Sequence, residues 1–226
     1  MLTARYSNRL SPLHALNTAA GAIFADVAGW QVVKKYSDVD GELQAVTESV
    51  GVCDITGRSA VRVKSFRLDD VLGKRTCSIG SIVRDCDAVI ARLTSEEALA
   101  IGPRSAGGSW QAGIDSDGEP TRHVIDVTSG LAGLRIAGPL TRDVLASLTD
   151  LDLRERAMPD GSCAQAGFAQ VQGTLLRLDV GGAPAYELYV AREYGVYMWE
   201  VIIESLGQGM VVPFGDEALR RLERRD

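Results

Sequence analysis

The chain has 226 residues, 46% of them hydrophobic, which is enough to form a packed core without disulfides or metal ions. Its formal net charge of −6, from 24 basic and 30 acidic residues with no concentrated positive face, argues against nucleic-acid binding. No apolar run reaches the roughly eighteen residues of a membrane span, and none near the N-terminus resembles a signal peptide. We therefore expect a soluble, cytoplasmic protein that does not cross a membrane.

Cysteines and histidines are too dispersed to indicate a metal site. No two cysteines form a C-x-x-C pair, and the two histidines are far apart in sequence, so we predict no zinc site. An even number of cysteines would permit disulfides, but the size of the chain and its N-terminus point to a reducing compartment. The cysteines are Cys53, Cys77, Cys86 and Cys163.

Two helices are predicted in the N-terminal part of the chain. Ser11 and Pro12 are typical of a helix N-terminus and precede an alanine-rich run. In the second helix we expect Ser37 as the N-cap and Gly51 at the left-handed C-terminal cap. Its apolar residues recur every three or four positions and predict one buried stripe. The stripe consists of Val39, Leu43, Val46 and Val50.

From position 60 the hydrophobic pattern changes to a period of two residues. Val61 and Val63 alternate with charged side chains, as in a half-buried strand. A short helix over 67–73 and a hairpin over 89–101 follow, which indicates an α+β region with antiparallel strands. Gly, Ser and Asp dominate 102–120, and we predict a loop or linker there.

The C-terminal half continues with strands and helices. A strand over 131–136 precedes a helix that Gly138 and Pro139 open, and a helix over 193–206 comes late in the chain. The inward side chains of the late helix are predicted to be Val196, either Trp199 or Val201, and Ile203. Between the two helices lie three strands of a predicted meander, at 168–171, 174–180 and 186–190.

The sequence contains no phosphate-loop, nucleophile-elbow or dinucleotide-binding motif. The most informative pattern is instead an ordered series of residues near the N-terminus. It runs from FADVAGW at 24–30 through Tyr36, Glu42 and Ala45 to Asp54. This series resembles the opening of the glycine-cleavage T-protein (aminomethyltransferase) family, with its F-A-G-W, Q-Y, E-H-x-A-V-R and A-G-L-F-D-V-S motifs. Segments 81–93, 134–142 and 177–187 are similar to later motifs of the same family.

The resemblance implies an α+β fold with a central folate cavity. The family architecture corresponds to a split Greek-key domain from residues 1–50 and 126–226 around an inserted ferredoxin-like domain at 51–125. The C-terminal β-domain of the family has no counterpart in this sequence. The cofactor that the resemblance implies is tetrahydrofolate.

The resemblance also implies site residues. Glu187 corresponds to the glutamate that holds the pterin, and Arg177 and Trp30 fall within motifs that contribute to the cofactor site. A carboxylate suits the pterin because it accepts paired N–H donors. The family's catalytic aspartate is the first residue of a D-D pair. The alignment places Cys86 at that position and Asp87 at the second, and a shift of one residue would place Asp85 at the first, so the candidates are Asp87 and Asp85.

Several positions depart from the family pattern. Cys86 occupies the first position of the family's D-D pair, and Val180 replaces a pterin-facing tyrosine. The S-H-M-G segment becomes TGRS at 56–59, and a family arginine falls on Glu217. These changes remove a carboxylate, an aromatic hydroxyl and a cation from the expected site.

Two functions remain open at this point. The chain could be a tetrahydrofolate-dependent aminomethyltransferase, in which a carboxylate manages protons beside an iminium-like centre. It could instead resemble the small γ subunit of heterotetrameric sarcosine oxidase, binding reduced folate weakly, with little or no catalysis of its own, beside flavin-containing oxidase subunits. The length of the chain and its altered site favour the second hypothesis.

Overall fold

The computed structural model describes residues 9–104 and 122–224. Within them, three β-sheets and short helices form an α+β structure. The strands are β1 (Arg9–Leu10), β2 (Ile23–Val27), β3 (Trp30–Lys35), β4 (Val50–Asp54), β5 (Ser59–Lys64), β6 (Ile82–Asp85), β7 (Ala88–Arg92), β8 (Glu97–Gly102), β9 (His123–Asp126), β10 (Leu131–Ala137), β11 (Cys163–Phe168), β12 (Val171–Arg177), β13 (Ala185–Ala191) and β14 (Val211–Pro213). The helices are α1 (His14–Ala19), α2 (Val39–Glu48), α3 (Leu68–Leu72), α4 (Thr141–Ala146), α5 (Gly195–Glu204) and α6 (Asp216–Glu223).

A six-stranded sheet, in the order β11-β12-β13-β10-β4-β14, forms the centre of the molecule. Successive side chains of a strand point to opposite faces, and β13 is buried on both. Tyr186 and Leu188 pack with α4 and α5 on one face. Tyr189 points to the other face and joins the core beneath α2 and α6. Glu187 shares that second face, because it lies two residues from Tyr189.

A five-stranded antiparallel sheet, in the order β6-β7-β8-β5-β9, packs beside the second face. The helix α3 covers its far side through Leu68 and Leu72. The strand β4 belongs to the six-stranded sheet, so we propose that the inserted domain begins after Asp54 rather than at residue 51. The division into a split domain and an inserted domain stays a prediction.

The predicted stripe of α2 is buried, although the ends of the helix differ from expectation. Val39, Leu43 and Val46 are at most 8% exposed. Asp38, not Ser37, caps the helix, and its Oδ1 accepts a 2.9 Å bond from the N–H of Gly41. Val50 is also buried but belongs to β4, as does Gly51, because the chain leaves the helix after Glu48.

Two predictions in the C-terminal half are wrong in detail. The segment 168–171, predicted as a strand, is the turn between β11 and β12, where Ala169 and Gln170 have positive φ angles. On α5 the buried residues include Met198 and Ile202, whereas Val196 is exposed. The predicted loop at 102–120 falls almost entirely outside the described residues.

Glu42 of α2 is a buried carboxylate with a structural role. Its Oε1 accepts hydrogen bonds from the N–H groups of Tyr36 at 2.6 Å and Ser37 at 3.0 Å. Its Oε2 accepts a 2.9 Å bond from the N–H of Gly215, at the start of α6. A Cβ on Gly215 would lie 2.2 Å from the carbonyl oxygen of Lys34, so only glycine fits there. These contacts hold α6 across the second face of the central sheet.

Candidate functional site

A cavity of about 320 Å³ lies between α6, the turn after β4 and the hairpin of β6 and β7. We call it the central cavity. Its walls carry both signs of charge, and its apolar part comes from Val27, Ile55 and Leu219. The charged residues that line it are Arg58, Asp87, Arg104, Asp216, Arg220 and Glu223. Such a wall can pair with polar groups of a small ligand.

Glu187 lies one layer behind the central cavity and is not among the residues that line it. The side chain is 1% exposed. Its Oε1 accepts hydrogen bonds from Nη1 of Arg58 and, at 2.9 Å, from Nη1 of Arg135. Its Oε2 accepts a 2.7 Å bond from the hydroxyl of Tyr189. Both carboxylate oxygens are therefore bonded within the chain.

The charges around Glu187 decide its protonation state. Burial alone would raise the pKa of this carboxyl, but the guanidinium groups of Arg58 and Arg135 outweigh burial and hold the pKa below its usual range. Burial and the adjacent carboxylate raise the pKa of Tyr189 well above its ordinary value, which keeps the hydroxyl as a donor. Glu187 is thus an anion with two cationic neighbours.

The backbone places both arginines. Arg135 lies directly opposite Glu187 in the pairing of β10 with β13, and its other terminal nitrogen donates a 2.7 Å bond to the carbonyl of Leu178. Arg58 follows Gly57, whose φ of 87° forms the turn after β4. A Cβ on Gly57 would lie 2.5 Å from the ring of Trp30, so this close approach also requires glycine.

The hairpin of β6 and β7 separates the candidate aspartates. Its two-residue loop consists of Cys86, exposed with a φ of 50°, and Asp87. Asp87 lines the central cavity. Asp85, which does not line it, is paired at 2.5 Å with Nε of Arg75.

The sequence model of the GCVT N-terminal domain matches residues 78–225. The chain belongs to this family. An aminomethyltransferase of Saccharopolyspora erythraea is 24% identical over 92% of this chain and 61% of its own length. The alpha subunit of sarcosine oxidase from Corynebacterium sp. strain P-1 is 25% identical over 95% of this chain and 25% of its own length. The chain thus spans about three fifths of the first relative and one quarter of the second.

Two solved structures share the fold of this GCVT-family chain. Glycine cleavage system aminomethyltransferase T from Bartonella henselae superposes with a TM-score of 0.79 and 19% identity, over 96% of this chain and 62% of that one. A chain of the heterotetrameric sarcosine oxidase from Corynebacterium sp. U-96 superposes with a TM-score of 0.66 and 15% identity. The superposition covers 88% of this chain and 94% of that one. The fold is therefore the α+β fold of the T-protein, as the sequence predicts.

Arg177 and Trp30, the other two residues assigned to the cofactor site by resemblance, do not line the central cavity of this GCVT-family chain. Arg177 donates from Nε and Nη2 to the two oxygens of Asp179, at 3.0 and 2.7 Å. Its Nη1 donates a 2.6 Å bond to the carbonyl of Met158. Trp30 is 3% exposed and packs beneath Gly57. In this structure Arg177 holds the backbone at Met158, and Trp30 packs beneath the turn that carries Arg58.

The departures from the family pattern fall at separate places. Val180 is buried in a turn, where its N–H donates a 3.0 Å bond to the carbonyl of Ala183. Glu217 pairs with Lys34 at 3.7 Å and lines a second cavity of about 360 Å³ beside α6. Arg58, which replaces part of the S-H-M-G segment, donates a hydrogen bond to Glu187.

Sequence reasoning missed three residues of this site. Two of them, Arg135 and Tyr189, contact Glu187. The third is Glu223 at the cavity wall. Partial burial raises the pKa of this carboxyl, although the charges of Arg135 and Arg58 oppose that effect. The replacement at Arg58 was visible in the sequence, but its contact with Glu187, 129 positions away, was not.

The described residues show neither a metal-binding cluster nor a membrane-spanning helix. In 9–104 and 122–224, no group of three or more His, Cys, Asp or Glu side chains is arranged to hold a metal ion. None of the helices in these ranges is both long and apolar enough to span a membrane. The candidate site therefore consists of the central cavity and the charge cluster behind it.

Proposed function

We propose that this GCVT-family chain is a T-protein-like subunit of a flavin-dependent amine oxidase assembly and does not itself transfer one-carbon units. The observation that carries the proposal is the charge state of Glu187. Both of its oxygens are bonded to Arg58, Arg135 and Tyr189. Because Oε1 already accepts two hydrogen bonds, a pterin that paired with both oxygens of this carboxylate would have to displace Arg58 or Arg135.

Tetrahydrofolate therefore does not fit the site in the way that the resemblance implies. The edge of a pterin presents N–H donors, which need a carboxylate with free lone pairs. Removing Arg58 from Glu187 would separate a largely buried ion pair, which is unfavourable. The loss of one charge-assisted hydrogen bond costs about 1.5–3 kcal/mol, a factor of roughly ten to a hundred in affinity. We infer that the isolated chain binds reduced folate only weakly.

The relatives support the role as a subunit. The alpha subunit of one sarcosine oxidase contains a segment that is similar to 95% of this chain. A chain of a heterotetrameric sarcosine oxidase is covered over 94% of its own length, so a chain that consists almost entirely of this fold occurs in such an enzyme. The proposed partners are accordingly flavin-containing oxidase subunits.

The second candidate is a tetrahydrofolate-dependent aminomethyltransferase, and the position of Asp87 favours it. This carboxylate lines the central cavity, where it could accept a proton and stabilise an iminium-like centre. Asp85 is held by Arg75 and serves as the matched control. One-carbon transfer that Asp87→Asn abolishes and Asp85→Asn retains would support this candidate and contradict the proposal.

Calorimetric titration with tetrahydrofolate tests the role of Arg58. The wild-type chain should bind weakly, and Arg58→Ala should bind about tenfold more tightly because one oxygen of Glu187 loses a donor. The double variant Arg58→Ala/Glu187→Gln should lose this gain. Circular dichroism would verify that each variant is folded. If Arg58→Ala leaves the affinity unchanged or weakens it, Arg58 does not block the carboxylate.

Co-expression tests the assembly. The chain should be produced together with flavin-containing amine oxidase subunits of its own organism and analysed by size-exclusion chromatography with flavin absorbance. We expect one complex that contains flavin and this chain in equal stoichiometry. Elution of the chain apart from the flavin-containing subunits would contradict the proposed role.

A further inference from the structure

Two cysteine thiols converge where the five-stranded sheet meets the central sheet. The thiol of Cys77 donates to the carbonyl oxygen of Ser81 at 3.5 Å, and the thiol of Cys163 lies 3.6 Å from the same oxygen. The thiol of Cys163 is also 3.5 Å from the carbonyl oxygen of Arg92. Because both sulfur atoms approach one oxygen, they are at most about 7 Å apart.

The backbone holds this arrangement from both sides. The N–H of Cys163 donates a 2.8 Å bond to the carbonyl of Gly80, and Ser81 forms an antiparallel bridge with Ser162. A turn, closed by a 3.0 Å bond from the N–H of Ser81 to the carbonyl of Ser78, brings Cys77 back towards this bridge. Disulfide formation would require the 77–80 segment to move the sulfur of Cys77 towards that of Cys163 until the two are about 2.05 Å apart.

We propose that Cys77 and Cys163 form a redox-active pair that a peroxide converts into a disulfide. Cys77 loses its proton to solvent, and its sulfur attacks one oxygen of hydrogen peroxide, giving a sulfenic acid and hydroxide. The sulfur of Cys163 then attacks the sulfur of Cys77, and the hydroxyl group leaves as water with the proton of Cys163. Two thiols are oxidised, and one peroxide is reduced to two waters.

The exposure of the two thiols indicates which one reacts with the peroxide and which one then closes the disulfide. Cys77 is half-buried and can meet a peroxide, whereas Cys163 is 6% exposed and can act only after Cys77 has reacted. Burial raises the pKa of Cys163 to about 12, so it remains a thiol at neutral pH. Burial also raises the pKa of Cys77, and the charge of Arg92 offsets part of that effect. Oxidation should therefore be slow but specific in its pairing.

The disulfide would join two sheets of the molecule. Cys77 precedes β6, whose hairpin with β7 carries Asp87 to the central cavity, and Cys163 begins β11 of the central sheet. Oxidation would fix the base of this hairpin to the central sheet. The inference does not depend on the proposed function.

Peptide mapping of the full chain tests the pair. The protein is treated with hydrogen peroxide, its remaining thiols are alkylated under denaturing conditions, and non-reduced peptides are analysed by mass spectrometry. We expect a peptide that links Cys77 to Cys163 and disappears on reduction. It should form equally in Cys86→Ser, which lacks the exposed hairpin thiol, and should be absent in Cys163→Ser.

Thermal unfolding gives an independent readout. Because the cross-link closes a long loop, oxidised wild-type protein should melt roughly 5 °C or more above the reduced form, and Cys163→Ser should show no such increase. The proposal is overturned if both thiols are fully alkylated after treatment, if Cys77 is over-oxidised without a cross-link, or if all disulfides involve Cys86.

Discussion

Arg135 and Glu187 lie directly opposite each other on β10 and β13, and Nη1 of Arg135 donates a 2.9 Å bond to Oε1 of Glu187. The carboxylate therefore has a cation in its own sheet, and Arg58 adds a second from the cavity side. A buried anion with two cationic neighbours contributes to stability only while all of them are present.

Removal of Arg135 should be strongly destabilising. In Arg135→Met, the carboxylate of Glu187 would keep only one cation in a buried site, and unfolding in urea should show a loss of about 3–5 kcal/mol. The matched control is Arg142→Met, because Arg142 and Glu155 form a surface pair with side chains 37% and 62% exposed. It should change stability by less than about 1 kcal/mol. Equal effects of the two substitutions would show that the Glu187 cluster is not critical.

The same cluster predicts the response to acid. The pKa of Glu187 is lower in the folded chain than in the unfolded chain, so its contribution is complete above the unfolded value of about 4.3 and lost as pH falls through the lower folded value. In Glu187→Gln, stability should fall less steeply below about pH 4.5. Urea unfolding from neutral pH down to pH 3 measures this slope. Glu200→Gln, which removes an exposed carboxylate of α5, is the matched control, and equal slopes in Glu200→Gln and Glu187→Gln would contradict the prediction.

Truncation of the α2 stripe should create a cavity in the core. Leu43 is 5% exposed, and Leu43→Ala should reduce the free energy of unfolding by about 2–5 kcal/mol. Gln44→Ala, at the next and exposed position, is the control and should cost less than about 0.5 kcal/mol. A change below 0.5 kcal/mol for Leu43→Ala as well, measured by chemical denaturation, would mean that this helix does not pack as described.

The turn that carries Arg58 should not tolerate a side chain at Gly57. A Cβ there would meet the ring of Trp30 at 2.5 Å, in addition to the strain of a φ of 87°. Gly182→Ala isolates the strain, because Gly182 has a φ of 72° and no neighbour within 4 Å of the added atom. Gly182→Ala should cost about 1–2 kcal/mol and Gly57→Ala about 1–3 kcal/mol more. Similar melting temperatures for the two variants would exclude the clash with Trp30.

Local patterns in the sequence predicted much of the fold. Periodicity within one segment predicted the buried positions Val39, Leu43 and Val46 of α2, and the structure confirms them, although Val50 lies in β4. The structure also confirms the alternation at Val61 and Val63 and the hairpin of β7 and β8. The turn at Ala169 and Gln170 was missed because neither residue type signals a left-handed backbone.

The candidate site could be predicted only in part. The resemblance indicated Glu187 and the two aspartates, and the loop geometry of the structure brings Asp87 rather than Asp85 to the cavity. The pairing of Glu187 with Arg135 depends on the register of β10 with β13, 52 positions apart, and a sequence does not encode that register in any local pattern. The state of the carboxylate therefore emerged only from the structure.

The most direct test is calorimetric titration of the wild-type chain and Glu187→Gln with tetrahydrofolate under identical conditions. If Arg58 and Arg135 already occupy the carboxylate, both proteins should bind weakly and with the same affinity within about twofold, because the pterin makes no bond to residue 187 in either. Tight binding by the wild type that Glu187→Gln weakens by about tenfold or more would show that the carboxylate is open to the pterin, and would contradict the account.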